Sequence, residues 1–258
     1  SNGSGQISTT FNVDGAGAPG VLTAVATSLA TNDSSEPGLC LLEPVATTTE
    51  ISDDTPDPSQ VGQSYTVTAQ VTSLSGTPIG TLTISDGQGN QCSDDTLSGG
   101  SGSCQLPSTF VGIKTLTANY SGSFTHAPSS DTEPHTVVAA TTTTTIVSDA
   151  PDPSQVGQPY TVAVQVRTPP GNTGTPFGQV AVSDGTGQTC QFALLSDGAC
   201  QLTSNSVGNK TLTASFAGSS DFLSSSDTEA HAVVAATTLT TITSDAPDPS
   251  LPGQPYLV

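Results

Sequence analysis

Apolar and polar residues alternate through several short stretches of the chain. Tyr65, Val67, Ala69 and Val71 are separated by Thr66, Thr68 and Gln70, a period of two that places the apolar side chains on one face of a strand. Tyr160, Val162, Val164 and Val166 repeat the pattern. So do Leu116, Ala118 and Tyr120, and Leu212, Ala214 and Phe216. A further strand is expected over Thr81–Ser85, ended by the turn Asp86-Gly87-Gln88-Gly89-Asn90. Short strands holding Cys92 and Cys104 follow, and Pro134–Ala139 closes the series. About seven short strands with turns every 8–12 residues predict an all-β chain folded as Greek-key β-sandwiches.

The pattern recurs at a fixed period. Thr47–Val71, Thr141–Val166 and Thr237–Val258 are three copies of one stretch, and Pro56-Asp57-Pro58 returns at Pro151 and again at Pro247. A period of 95 or 96 residues is one small domain repeated. Insertions are confined to Gly/Pro/Ser stretches such as Arg167–Gly174, as loops tolerate and strands do not. The expected organisation is residues 1–46 as closing strands of a partial unit or an N-terminal extension, 47–140 and 141–236 as two full units, and 237–258 as the opening strands of a third.

Composition supports strands over helices. Thr and Val favour strands, while Gly, Pro, Asn and Asp supply turns. Only 4 Tyr, 7 Phe and no Trp are available for two cores, so each core is thin and gains from a covalent staple. Lys plus Arg is 3 against 22 Asp plus Glu, a formal net charge of −19. That charge repels nucleic acid and anionic membrane surfaces and keeps chains apart. No apolar run approaches the roughly 20 residues of a membrane-spanning helix, so membrane insertion is not expected. The absence of Met suits a processed, secreted chain or an excised stretch of a longer one.

The cysteines carry the strongest chemical signal. Cys92/Cys104 and Cys190/Cys200 occupy equivalent positions in the two units, on strands expected to be neighbours, and read as disulfides. Zinc is the rival reading, without a CxxC or a nearby His to support it. Cys40 is left over, as a free thiol or one half of an intermolecular bridge.

Acidic residues gather where units join: Asp53, Asp54 and Asp57, then Asp149 and Asp152, then Asp245 and Asp248. Two readings stay open. Asp53, Asp57, Asp149, Asp152, Asp245 and Asp248 are calcium candidates, since calcium takes several converging oxygens. Alternatively each Asp-Pro-Ser segment is a turn former in which Asp bonds its own backbone. Lys114 and Lys210 are expected at an exposed strand edge, where they discourage pairing. His126, His135 and His231 are too scattered along the chain to suggest a constellation. No nucleophile elbow, carboxylate pair or phosphate loop is present, so no cofactor and no enzymatic activity are expected.

Thr175-Pro176-Phe177-Gly178 through Ser183-Asp184-Gly185, then Gly208-Asn209-Lys210-Thr211-Leu212-Thr213-Ala214-Ser215-Phe216-Ala217-Gly218 and Asp221-Phe222, resemble the bacterial immunoglobulin-like (Big) repeat family, group 3. The resemblance covers roughly Thr47–Val258. It implies tandem Ig-like sandwiches forming stalks of bacterial surface and secreted proteins, often adhesins. A Cys pair in each unit and a weakly matching 46-residue start depart from the family pattern. The expected function is therefore an extracellular stalk or filament of disulfide-stapled units, with head-to-tail self-association by strand complementation between the partial units at its ends. The alternative is a binding module that grips a surface ligand through its loops.

Overall fold

The computed structural model describes residues 43–194, 197–255 and 257–258. The expectations for Cys40 and nearly all of residues 1–46 fall outside them. The described residues form strands and connecting loops, with no α-helix among them.

In the first unit the strands are β1 (Thr47–Thr55), β2 (Ser59–Gln60), β3 (Ser64–Ser73), β4 (Leu82–Ser85), β5 (Gln91–Asp94), β6 (Ser101–Pro107), β7 (Gly112–Tyr120) and β8 (Ser129–Val138). They build two sheets, ordered β1-β3-β6 and β2-β8-β7-β4-β5. The alternating rows meet between them. Tyr65, Val67, Ala69 and Val71 pack against Leu82, Ile84, Leu116, Ala118 and Tyr120, with Leu106 and Ile51 completing the core. The Tyr120 hydroxyl reaches out of that core to donate to the Ile79 carbonyl at 2.6 Å.

Eight segments are present where about seven are expected, because the first strand is divided. Pro56 and Pro58 lack the N–H a ladder needs. Pairing therefore stops at Thr55 and resumes at Ser59 in the other sheet. The two X-Pro bonds in this stretch, and in its two later copies, are cis.

The second unit repeats the plan. Its strands are β9 (Thr143–Ala150), β10 (Ser154–Gln155), β11 (Pro159–Arg167), β12 (Gly178–Ser183), β13 (Thr189–Leu194), β14 (Asp197–Thr203), β15 (Gly208–Phe216) and β16 (Ser225–Val234). Its sheets are β9-β11-β14 and β10-β16-β15-β12-β13. Tyr160, Val162, Val164, Val166, Leu212, Ala214 and Phe216 are buried, as their alternation predicts. β10 runs parallel to β16, with Ser154 opposite Val233 and Gln155 opposite Val234. Pairing also reaches ahead of the Thr runs. Val45 bridges His126 and Ala140 bridges Phe222, so each unit takes in a residue that precedes its first strand.

Gly178 shows why this fold needs glycine at one turn. Its φ is +146°, and a Cβ there would lie 3.0 Å from the Gly218 carbonyl and 2.9 Å from the Phe216 ring.

The third copy has the same local structure at its corner. Ala246 and Leu257 exchange both backbone hydrogen bonds, and Gln254 N–H donates to Leu251 O. These repeat the Ala150–Thr161 pairing and the turn in which Gln158 N–H donates to Gln155 O. Packing is absent, however. Ile242 is 68% exposed where its counterpart Ile146 is 7% exposed.

Candidate functional site: the cystine and the histidine clasp of each unit

Each sandwich is closed along both long sides, once covalently and once through polar side chains. On one side Cys92 and Cys104 form a disulfide with a Cα–Cα distance of 5.9 Å, and Cys190 and Cys200 form its equivalent, also at 5.9 Å. The cysteine strands follow one another in the chain, but they are not paired neighbours in one sheet. β5 and β6 are edges of opposite sheets, as are β13 and β14, so each cystine links sheet to sheet. A short connection at the edge carries the chain from one layer to the other, which sequence spacing does not reveal.

The opposite side is held by hydroxyls and carboxylates. Ser129 Oγ lies 2.7 Å from both Thr47 Oγ1 and Thr49 Oγ1, and Asp131 Oδ2 accepts the Ile51 N–H at 2.9 Å. In the second unit Ser225 meets Thr142 and Thr144 at 2.7 Å, and Asp227 accepts the Ile146 N–H at 2.8 Å. The Thr run thus acts as strand and as polar seam together.

The seam ends in a cluster built around His135, which is fully buried. His135 Nδ1 is 2.9 Å from Asp54 Oδ2 and 3.6 Å from Asp57 Oδ1, and Nε2 is 2.7 Å from Ser59 Oγ. The ring stacks on Tyr65, with centroids 3.8 Å apart. Asp57 Oδ1 also accepts the Thr136 N–H. His231 reproduces every contact. Nδ1 lies 2.8 Å from Asp149 and 3.5 Å from Asp152, Nε2 is 2.8 Å from Ser154, and the ring stacks on Tyr160 at 3.9 Å.

Several expectations change here. His135 and His231 are not scattered; each joins residues about 80 positions earlier, because the last strand lies beside the first two. Asp54, not Asp53, takes the cluster position; Asp53 is exposed and bonds the Thr55 hydroxyl. Asp57 and Asp152 accept backbone N–H groups from the last strand (Thr136 and Ala232), not from their own turns. Asp245 and Asp248 are exposed, and among the described residues no histidine faces them. His126 lies apart, with Nε2 3.1 Å from the Ser75 carbonyl.

The lysines depart from expectation too. Lys114 and Lys210 are only 5% and 6% exposed, on the interior strands β7 and β15. Each continues the row of inward-facing residues, with its long aliphatic stem packed along that row. Lys210 Nζ donates to Ser206 Oγ at 2.8 Å.

Electrostatics follow the excess of acid. Burial, then Asp54, Asp131, Asp57 and Asp53, hold the Glu133 carboxyl above its ordinary value. Burial, then Asp149, Asp227 and Asp152, do the same to Glu229. Burial with Asp86 and Asp54 raises the Tyr65 phenol. Asp184 goes the other way. Burial alone would raise it, but hydrogen bonds from Ser204 Oγ (2.7 Å), Thr186 and Gln188 outweigh burial and lower it.

With the fold and these contacts in place, comparison defines the class. The family model described as bacterial Ig-like domain (group 3) matches residues 52–143 and again 147–236, and the chain belongs to that family. Tandem units of this kind are typical of surface and secreted proteins. Among solved structures, the chain is similar to invasin, a bacterial integrin-binding protein, at 16% identity and a TM-score of 0.49, over 74% of this chain and 39% of that one. It is similar to a tetra-tandem repeat from the extending region of a large adhesion protein at 16% identity and a TM-score of 0.38, over 72% and 49%. Fibronectin(III)-like modules of Clostridium thermocellum CbhA match at 16% identity and a TM-score of 0.29, over 72% and 93%. Among curated proteins no match to the chain was found.

Proposed function

We propose that the chain is an extracellular structural protein, a non-enzymatic stalk of disulfide-stapled Ig-like units that carries tension along its length. The observation that supports this most is the placement of the first and last strands of a unit. β10 lies parallel to β16, with Val156 N–H donating to Val234 O at 2.9 Å. Pulling a unit by its two ends loads parallel partners in shear, so their bonds must break together and not one by one. The Asp149–His231–Ser154 contacts span those same strands, and the cystine withholds a loop from extension.

The Asp–His–Ser connectivity also resembles a hydrolase relay. Ser59 and Ser154 are fully buried, however, and no substrate carbonyl can approach their hydroxyls. The relay therefore reads as a clasp.

Self-association is part of the proposal. Residues 237–258 already hold the corner of a unit while Ile242 and Val258 face solvent. Strands from another polypeptide segment would cover them, and a second copy supplying those strands would propagate a filament.

Deleting or duplicating one unit in the intact protein on its cell tests the stalk reading. The height of whatever the stalk carries should change by one unit, with binding unaltered. Loss of binding on replacing Arg167–Gly174 would instead favour a loop that grips a surface ligand.

A further inference from the structure

We propose that each Asp–Asp–His cluster binds one divalent metal ion of the zinc class. In both units an imidazole Nδ1 and two carboxylate oxygens lie within 4.8 Å of one another, at Asp54, Asp57 and His135 and at Asp149, Asp152 and His231. The clusters are not carboxylates alone. Each is organised on an imidazole withdrawn from solvent, stacked on a tyrosine and bonded through Nε2 to a serine hydroxyl. An outer partner of that kind fixes the tautomer and orientation of a metal-bound histidine. The second carboxylate is also held, by the Thr136 N–H in one unit and the Ala232 N–H in the other.

The surrounding charge favours a cation. Asp131 on β8 and Asp227 on β16 add a further carboxylate to the strand that carries each histidine. The geometry is kept in both units although Asp53, Thr55 and Thr136 become Ser148, Ala150 and Ala232.

The donor set selects the ion. Imidazole with carboxylates suits zinc, cobalt, nickel or copper, whereas calcium takes oxygen ligands. The calcium reading of these aspartates therefore gives way to a transition metal. Asp57 and Asp152 are 38% and 41% exposed at the side chain and offer the route in. Binding places the Nδ1 lone pair on the metal and the single ring proton on Nε2, which then donates to the serine hydroxyl, and water fills the remaining positions.

The test is titration calorimetry of the whole chain, stripped with EDTA and desalted, with Zn2+ in two buffers of different ionisation heat. Co2+ absorption provides a second readout of nitrogen ligation. Two ions per chain are expected. His135→Gln should leave one ion, and His135→Gln with His231→Gln none, with circular dichroism reporting the fold. If those variants do not fold, Asp57→Asn with Asp152→Asn alters only the partly exposed ligands and should weaken uptake roughly tenfold or more. No saturable uptake would overturn the proposal. So would uptake that survives in the folded double variants, which would place the ions on the acidic surface at large.

Discussion

Removing the first cystine gives the sharpest stability prediction. Cys92→Ser with Cys104→Ser frees a loop closed over a sequence separation of 12. In the chain-entropy account, closing a loop of that length removes about 9.5 cal/mol/K from the unfolded ensemble, so its loss costs about 3 kcal/mol at 25 °C. The separation of 10 at Cys190–Cys200 gives nearly the same figure. The pair also joins edge strands of opposite sheets, where no ladder hydrogen bond replaces it. Urea unfolding followed by circular dichroism should show one transition moving down by roughly 2–3 M, given a slope of about 1 kcal/mol/M for a unit this small. The other transition should stay in place. Reductant added to the unaltered chain should move both. A shift worth less than about 1 kcal/mol would refute the view that the staple compensates for a thin core.

Three further outcomes follow from the same contacts. His231→Ala leaves Asp149 and Ser154 without their shared partner, and should cost about 3 kcal/mol in the second unit by urea unfolding. Leu212→Ala opens the fully buried core of that unit and should cost 2–5 kcal/mol, roughly, with no change in secondary structure by circular dichroism. Asp184 is held below the ordinary aspartate value, so its stabilisation is fully present above about pH 4 and is lost as pH falls through its lowered folded-state value. Thermal unfolding of Asp184→Asn should therefore show a flatter acid limb than the unaltered chain below about pH 4.

What could be read from the sequence was what repeats at short range. The inward rows Tyr65–Val71 and Leu212–Phe216 were legible because a period of two is written within a single strand. Equivalent cysteines named their own partners. The sheet-crossing geometry of those bridges was not legible, because sequence order does not say which layer a short edge strand joins. The clasp was hidden for a related reason. His135 meets Asp54 and Ser59 only after β8 is laid beside β1 and β2, and no local pattern marks that meeting. Lys114 was misplaced because residue type argued for solvent while the strand's alternation argued for the interior. The alternation prevailed, and the residue is only 5% exposed.

The central claim, that these units bear tension, is tested most directly by stretching single oxidised chains from their two ends. Two abrupt unfolding events are expected. Reductant should lengthen one by about 37 Å, from 12 residues at roughly 3.6 Å each less the 5.9 Å the cystine spans. The other should lengthen by about 30 Å, from 10 residues on the same basis. Smooth extension without such events, or events whose lengths ignore reductant, would contradict the account.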